Sequence, residues 1–90
     1  MADVTIKRLS DEEIAERRIK DWPIWEKGIS TFDWYYDSTE ECLILEGEFK
    51  VKTKDKSYEI KAGDFVIFPK GLSCVWEISK PVRKHFHFSS

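Results

Sequence analysis

The sequence is poor in the residue types on which most catalytic and metal-binding motifs depend. It contains two cysteines, two histidines, four glycines and one methionine among 90 residues. Acidic and basic side chains are interspersed and nearly balance at a net charge of −2, which leaves neither a basic groove for nucleic acid nor a polybasic membrane anchor. No stretch approaches the ~20 apolar residues of a transmembrane helix, and no signal peptide opens the chain. We therefore expect one soluble, cytoplasmic domain without nucleic-acid or membrane partners.

The two cysteines, Cys42 and Cys74, do not resemble a disulfide framework or a redox pair. They are 32 positions apart, and without a secretory signal their thiols are expected to stay reduced. Each lies in an apolar, strand-like run, where a buried cysteine usually acts as a small hydrophobic residue. A second interpretation stays open for Cys74, which would be a nucleophile if a neighbouring base or cation activated its thiol.

The hydrophobic pattern predicts an all-β protein with one short helix near the N-terminus. Ser10 and Glu13 have the spacing of a helix capping box. Apolar runs separated by turn residues predict roughly eight to ten short strands, with Gly47 and Gly63 in turns and Pro81 interrupting the last strand. We assign residues 1–21 to a strand and helix packed on a barrel that residues 22–90 form, as one domain overall.

The spacing of a few glutamate, glycine and proline residues resembles the two signature motifs of the cupin superfamily. The first motif places a glycine seven positions after a glutamate, as Gly47 follows Glu40. The second motif runs from a glycine through Pro-x-Gly to a ligand histidine, and Gly63, Pro69 and Gly71 fit it. The resemblance covers about residues 22–88 and implies a single small antiparallel β-barrel, the RmlC-like jelly roll.

An aromatic block narrows the resemblance. Residues 22–25 and 32–37 look like the small single-domain cupins grouped with the ureidoglycine aminohydrolase cupin domain, a group that also resembles an ethanolamine-utilisation cupin. The run Arg83-Lys84-His85 is similar to that group too. The resemblance implies amide or amine hydrolysis on a small polar, nitrogen-containing metabolite. It also implies a homodimer, because cupins commonly dimerise by sheet-to-sheet packing.

The histidines that hold the metal in metal-binding cupins are replaced in this chain. The His-x-His pair of the first motif falls on Trp34 and Tyr36 or, in the alternative register, on Asp33 and Tyr35. The histidine of the second motif falls on Cys74.

Of the usual three-histidine, one-glutamate ligand set, only Glu40 remains, so the resemblance implies no complete metal site and no cofactor. A divalent metal held by Glu40 and Cys74, joined by Tyr36 and by His85 or His87, stays an open alternative.

Glu40 is the strongest candidate for a catalytic residue. An inward-facing carboxylate among Trp34, Tyr36 and Trp76 would be partly desolvated, which suits it to general acid–base catalysis. These three aromatic side chains would line a pocket for a small planar or apolar ligand, or else belong to the core. The structural alternative for Glu40 is an ion pair, for example with Arg83, or a place at the rim of the barrel.

Cys74 and His85 are the further catalytic candidates, with His85 as the base that would activate the thiol. The alternative for the histidines is a surface or packing role. The sequence thus predicts a small cupin whose activity is open, and the first hypothesis is an enzyme with its site around Glu40 and Cys74. Two other hypotheses stay open: a non-catalytic barrel that binds a small ligand without metal, and a dimerising module whose cavity is filled by its own side chains.

Overall fold

The computed structural model describes residues 3–89. Within this range the chain forms seven strands, one α-helix and one 3-10 helix. In order they are β1 (Thr5–Lys7), α1 (Asp11–Glu16), the 3-10 helix (Ile19–Asp21), β2 (Ile24–Lys27), β3 (Ser30–Tyr35), β4 (Thr39–Lys52), β5 (Ser57–Lys61), β6 (Phe65–Phe68) and β7 (Ser73–Ser89). Neither helix is long and apolar enough to cross a membrane.

All strand pairs are antiparallel and belong to one sheet. The pairing runs β1–β6–β4–β7–β2, while β3 pairs with β7 and β5 with β4 outside this path. The long strands β4 and β7 pair with each other from end to end, and each also pairs with different strands along its two halves. The sheet therefore curls around an interior. This confirms the predicted all-β, antiparallel fold with a short N-terminal helix, although the strand pairing does not close the barrel.

Along strand β4, the buried side chains switch from even-numbered to odd-numbered positions at a bulge. Cys42 and Ile44 face the interior before the bulge, whereas Phe49 and Val51 face it afterwards. The β4–β7 register shifts at several points between Ile44 and Phe49. An inserted residue in a β-bulge has this effect, because side chains alternate between the two faces of a strand. One continuous strand can thus follow the curl of the sheet.

Gly47 makes this bulge sterically feasible. Its φ is 103°, and a Cβ at this position would overlap the carbonyl oxygen of Pro81 and lie 2.8 Å from the Cα of Val82. Gly47 is therefore not a turn between strands, and Pro81 does not interrupt the last strand, because both lie inside long bulged strands. The prediction of eight to ten short strands is wrong for this reason. Gly63, in contrast, does lie in a turn, between β5 and β6.

Stacked aromatic side chains fill much of the interior. The rings of Tyr36 and Phe68 stack at a centroid distance of 4.8 Å, and those of Phe49 and Trp76 stack at 4.2 Å. All four side chains are almost fully buried. Large aromatic side chains supply much apolar area in a small core, and two of these four, Tyr36 and Trp76, also line the site described below.

The helical segment that follows β1 packs on the outer face of the sheet. The capping box is present: Ser10 Oγ accepts a hydrogen bond from the Glu13 backbone N–H at 3.1 Å, and Glu13 Oε1 accepts one from the Ser10 N–H at 3.0 Å. Ile19 forms a second apolar cluster with Leu43 and Phe65, whose side chains face away from the interior. The domain boundary drawn at residue 21 stays a prediction.

Candidate ligand-binding site

A cavity of about 180 Å³ opens into the interior of the curled sheet. Its wall consists almost entirely of aromatic side chains, namely Trp25, Phe32, Trp34, Tyr36, Trp76, Phe86 and Phe88. Trp34 and Phe88 are each 48% exposed, so they lie where the cavity meets solvent. A cavity of roughly 150 Å³ with apolar walls is large enough for benzene, so this one has room for a molecule of about that size.

Two charged residues, Glu40 on β4 and Lys84 on β7, also line the cavity. Nζ of Lys84 donates a hydrogen bond to Oε2 of Glu40 at 2.8 Å, and both side chains are only 5% exposed. A buried charge is costly unless it is paired, and each of these charges supplies the partner of the other. The two charged groups that line the cavity therefore form an ion pair with no net charge.

Three aromatic rings lie close to the ammonium of Lys84. Its Nζ lies 4.8 Å from the ring centroid of Trp25, 4.9 Å from that of Trp76 and 6.0 Å from that of Phe68. Cation–π attraction acts within about 6 Å and strengthens where water is excluded. Lys84 is therefore stabilised as a cation by the two tryptophan rings as well as by the carboxylate of Glu40.

The second carboxylate oxygen of Glu40 faces the cavity. Oε1 receives no hydrogen bond from residues 3–89, whereas Oε2 is bonded to Lys84. Within the same range no side-chain oxygen or nitrogen is both buried and without a partner. It follows that Oε1 is accessible from the cavity, where it can accept a hydrogen bond or a proton from a ligand.

Tyr36 adds a hydrogen-bond donor to the cavity. Its hydroxyl oxygen accepts a hydrogen bond from Nε1 of Trp76 at 3.2 Å. Burial raises the pKa of Tyr36 far above its ordinary value, and the charge of Glu40 raises it further. The hydroxyl therefore keeps its proton, which remains available for a hydrogen bond.

The three predicted pocket residues, Trp34, Tyr36 and Trp76, all line the cavity together with Glu40. The predicted ion-pair partner is wrong. On the outer surface, the guanidinium of Arg83 lies 3.8 Å from Oε2 of Glu26 and 3.6 Å from Oε2 of Glu46. The side chain that pairs with Glu40 is Lys84. Whether these side chains contact a ligand, and whether Glu40 is catalytic, stays a prediction.

Cys74 lies apart from the ion pair. It lines a shallow, open depression between β3 and the end of β4 and not the aromatic cavity. Its Sγ lies 3.7 Å from the backbone oxygen of Trp34, within reach of a weak S–H hydrogen bond. Burial raises the pKa of Cys74 to about 11, so at neutral pH the thiol is protonated and is a weak nucleophile. Its proposed catalytic role stays a prediction.

His85 lies on the opposite face of β7 from Lys84, because successive residues of a strand point to opposite sides. Its Nδ1 lies 2.9 Å from the backbone oxygen of Trp22, and the ring of His87 stacks on the ring of Trp22 at 5.1 Å. The structure thus places both histidines on the outer face and does not bring His85 to Cys74 or Glu40.

The cavity does not offer the donor set that a divalent metal requires. Within residues 3–89 there is no group of three histidine, cysteine, aspartate or glutamate side chains that could hold a metal ion. Among the described residues that line the cavity, Glu40 is the one carboxylate, and an ammonium group binds one of its oxygens. Structural and catalytic metal sites need three or four matched donors. The residues present therefore do not fit the metal of metal-binding cupins.

Sequence reasoning overlooked Lys84. The signal was present in the alternation along β7, where Val82, Phe86 and Phe88 mark the face that points inwards. Lys84 falls in the same parity, so its side chain enters the interior with theirs. A lone lysine in the apolar phase of a strand indicates a buried cation that requires a partner.

Comparison with known proteins agrees with this fold. Residues 14–86 match the model of the EutQ-like cupin domain. The chain belongs to this family. Membership establishes the cupin superfamily predicted from Glu40, Gly47 and the Pro69-to-Gly71 corner. Among curated proteins, none matches this EutQ-like cupin at a significant level.

Solved structures similar to this EutQ-like cupin include a protein of the DUF861 family from Thermotoga maritima. That protein is 50% identical, has a TM-score of 0.95, and the match covers 97% of this chain and 100% of the other. A putative ethanolamine utilization protein Q from Salmonella typhimurium is 23% identical, with a TM-score of 0.66 and coverage of 94% and 68%. The EutQ protein of Clostridium difficile is 18% identical, with a TM-score of 0.67 and coverage of 97% and 68%. The likeness to these last two proteins shows the fold alone.

Proposed function

We propose that this EutQ-like cupin takes up a small nitrogen-containing metabolite in the aromatic cavity and that Glu40 performs acid–base chemistry on it. The observation that carries the proposal is the isolated ion pair in an otherwise aromatic cavity. Aromatic walls bind a flat or apolar body, and a few polar groups fix its orientation. Glu40 is the group at this cavity that can accept a proton.

The hydrogen-bonding groups of the cavity favour a ligand with an N–H group and an oxygen acceptor. Oε1 of Glu40 can accept a hydrogen bond from the N–H, and the Tyr36 hydroxyl can donate one to the oxygen. A small amide or ureido group carries both. The resemblance to cupins grouped with the ureidoglycine aminohydrolase domain supports the same class. Because the metal-binding histidines of that group are replaced, we do not extend the proposal to metal-assisted hydrolysis.

A second candidate function is non-catalytic binding of the same class of ligand. The placement of the other predicted catalytic residues favours it: Cys74 carries a protonated thiol outside the cavity, and His85 lies on the outer face of the sheet. Glu40 would then act only as a hydrogen-bond acceptor. The two candidates share the cavity and differ in whether the bound molecule is converted.

A ligand screen tests the proposal. Small amides, ureides, amines and matched hydrocarbons would be added to 15N-labelled protein, and the indole N–H signals of the four tryptophans would be followed by NMR. We expect shifts of Trp25, Trp34 and Trp76, with Trp22 on the outer face as an internal control. A binder that shifts these signals would next be incubated with the protein to detect conversion. A cavity that binds no compound of any class would overturn the proposal.

The proposal includes a cytoplasmic homodimer. Both cysteines are free, which suits a reducing compartment. Several large apolar side chains are exposed, among them Ile29, directly before β3, and Tyr35, the last residue of β3. Burying such residues between two copies would add apolar area to a small core.

A further inference from the structure

Lys84 occupies a site that has the features of a cation-binding cage. Its Nζ lies 4.8 Å from the ring centroid of Trp25 and 4.9 Å from that of Trp76, in the corner that these two rings form by meeting edge to face. The carboxylate of Glu40 lies 2.8 Å from the same nitrogen. An anion combined with aromatic faces is the arrangement by which proteins recognise alkylammonium groups. In this chain the ammonium that fills the cage belongs to the protein itself.

The ammonium is already paired within the protein. Its Nζ donates a hydrogen bond to Glu40, and the rings of Trp25 and Trp76 contact the same nitrogen. A second cation entering the cavity would meet the like charge of Lys84 at close range, and the charge of Glu40 is already balanced by that lysine. Repulsion between like charges is strong where water is excluded. A neutral ligand does not experience this repulsion.

We infer that Lys84 determines the specificity of the cavity: its ammonium fills the cation cage and excludes cationic ligands. This inference rests on the proposed function for its biological meaning, since it concerns the same cavity.

Chemical complementation tests the inference. In Lys84→Ala, the atoms removed beyond Cβ correspond to propylammonium, so this ion can restore them one for one. We expect propylammonium at on the order of 50 mM to raise the melting temperature of Lys84→Ala by mass action, and to leave that of the wild-type protein unchanged. The neutral analogue 1-propanol, which lacks the charge, should have less effect.

Two matched variants establish where the ion binds. Lys84→Met keeps the unbranched stem in place and leaves no room for propylammonium, so this variant should not respond. Lys84→Ala combined with Glu40→Gln keeps the room but removes the anion. We expect its affinity for propylammonium to fall about tenfold or more, since charge-assisted hydrogen bonds are the strong ones. As a surface control, Lys50→Ala removes an exposed lysine near Glu59 and should not respond either.

The outcomes either support the cage or contradict it. If Lys84→Ala folds only when propylammonium is present, the cage is supported as directly as by a rise in melting temperature. No stabilisation by propylammonium, or equal stabilisation by 1-propanol, would overturn the inference. Propylammonium and the Lys84→Ala variant do not depend on the natural ligand. A negative result with them would therefore contradict the cation cage, whereas a negative ligand screen on the wild-type protein would contradict the proposed function.

Discussion

Lys84 and Glu40 form an ion pair although they are not opposite each other in the β4–β7 ladder. The register places Phe88 opposite Glu40 and Ile44 opposite Lys84. The two backbone positions are therefore separated by four residues, which is about 13 Å along a strand. Nζ and Oε2 nevertheless lie 2.8 Å apart, because the long side chain runs back along the interior of the curled sheet.

We predict that Glu40 and Lys84 are strongly coupled in stability. Glu40→Gln leaves an unpaired ammonium and Lys84→Met leaves an unpaired carboxylate, and each should lower the free energy of unfolding by about 3–5 kcal/mol. The double variant removes both charges and should recover most of this loss. Urea unfolding of the four proteins gives the coupling energy directly.

A result in which the two single losses simply add in the double variant would contradict this coupling. The exposed pair Lys50 and Glu59, whose charged atoms are 3.9 Å apart, provides a control. The same cycle on that pair should give a coupling of less than about 1 kcal/mol, because solvent screens exposed charges.

The effect of Glu40→Gln on ligands distinguishes the candidate functions. If Glu40 transfers a proton, the variant should still bind the compound found in the screen but lose conversion by about 10²–10⁴-fold. If the cavity only binds, affinity should change and no wild-type conversion should exist to be lost. Steady-state kinetics and titration calorimetry on the same preparation separate these results. A variant with unchanged conversion would remove Glu40 from the chemistry.

Gly47→Ala should destabilise the protein, because a Cβ at a φ of 103° would overlap Pro81. We expect a loss of ~2 kcal/mol or more in the free energy of unfolding. Gly28→Ala is the matched control, since no atom lies within 4 Å of its added Cβ, and it should change stability by less than about 0.5 kcal/mol. Equal effects of the two substitutions in urea unfolding would show that Gly47 is not required by the bulge.

The spacing and alternation of residues in the sequence predicted most of the side chains named for the site, but they did not predict Lys84. The spacing of Glu40 and Gly47 indicated the right strand, and the alternation of Trp34 and Tyr36 indicated the face that points inwards. The ion pair of Glu40 depends on how far two bulged strands curl, which no spacing along the chain reports. Arg83 is adjacent to the true partner in sequence, but its side chain points to the other face of the strand, where it lies near Glu26 and Glu46.

The two long strands illustrate the same limit. Glycine and proline normally end strands, so Gly47 and Pro81 were interpreted as breaks. In the structure they face each other, and the carbonyl of Pro81 occupies the space that a side chain at position 47 would need. Only the contact between the two strands explains why both residues are tolerated inside them.

We predict that the protein is a homodimer in solution, with the exposed apolar residues around β3 in the interface. Ile29 and Tyr35 are 70% and 60% exposed, and replacing either by glutamate should shift the equilibrium towards monomer. Lys54→Glu, at the tip of the β4–β5 hairpin, is the charge-changing control. Sedimentation velocity at several protein concentrations measures the distribution, and a monomer at all of them would contradict the prediction.

Stability should fall at alkaline pH because the buried thiols hold their protons in the folded protein. Burial raises the pKa of Cys42 from its ordinary value of 9.0 to about 12, and that of Cys74 to about 11. Above pH 9.0 the unfolded chain loses these protons while the folded chain keeps them. The free energy of unfolding therefore decreases as pH rises through this window, by up to about 1.4 kcal/mol per pH unit for each thiol.

Urea unfolding at a series of pH values from neutral to about pH 11 measures this slope. Cys42→Ala lowers stability at every pH by leaving a small cavity, but it should also flatten the alkaline slope, because one of the titrating groups is gone. Cys74→Ala should flatten the slope as well, over a window that ends about one pH unit lower, as its pKa is about 11 rather than about 12. An alkaline slope that is identical in the wild type and both variants would show that the thiols are not the groups responsible.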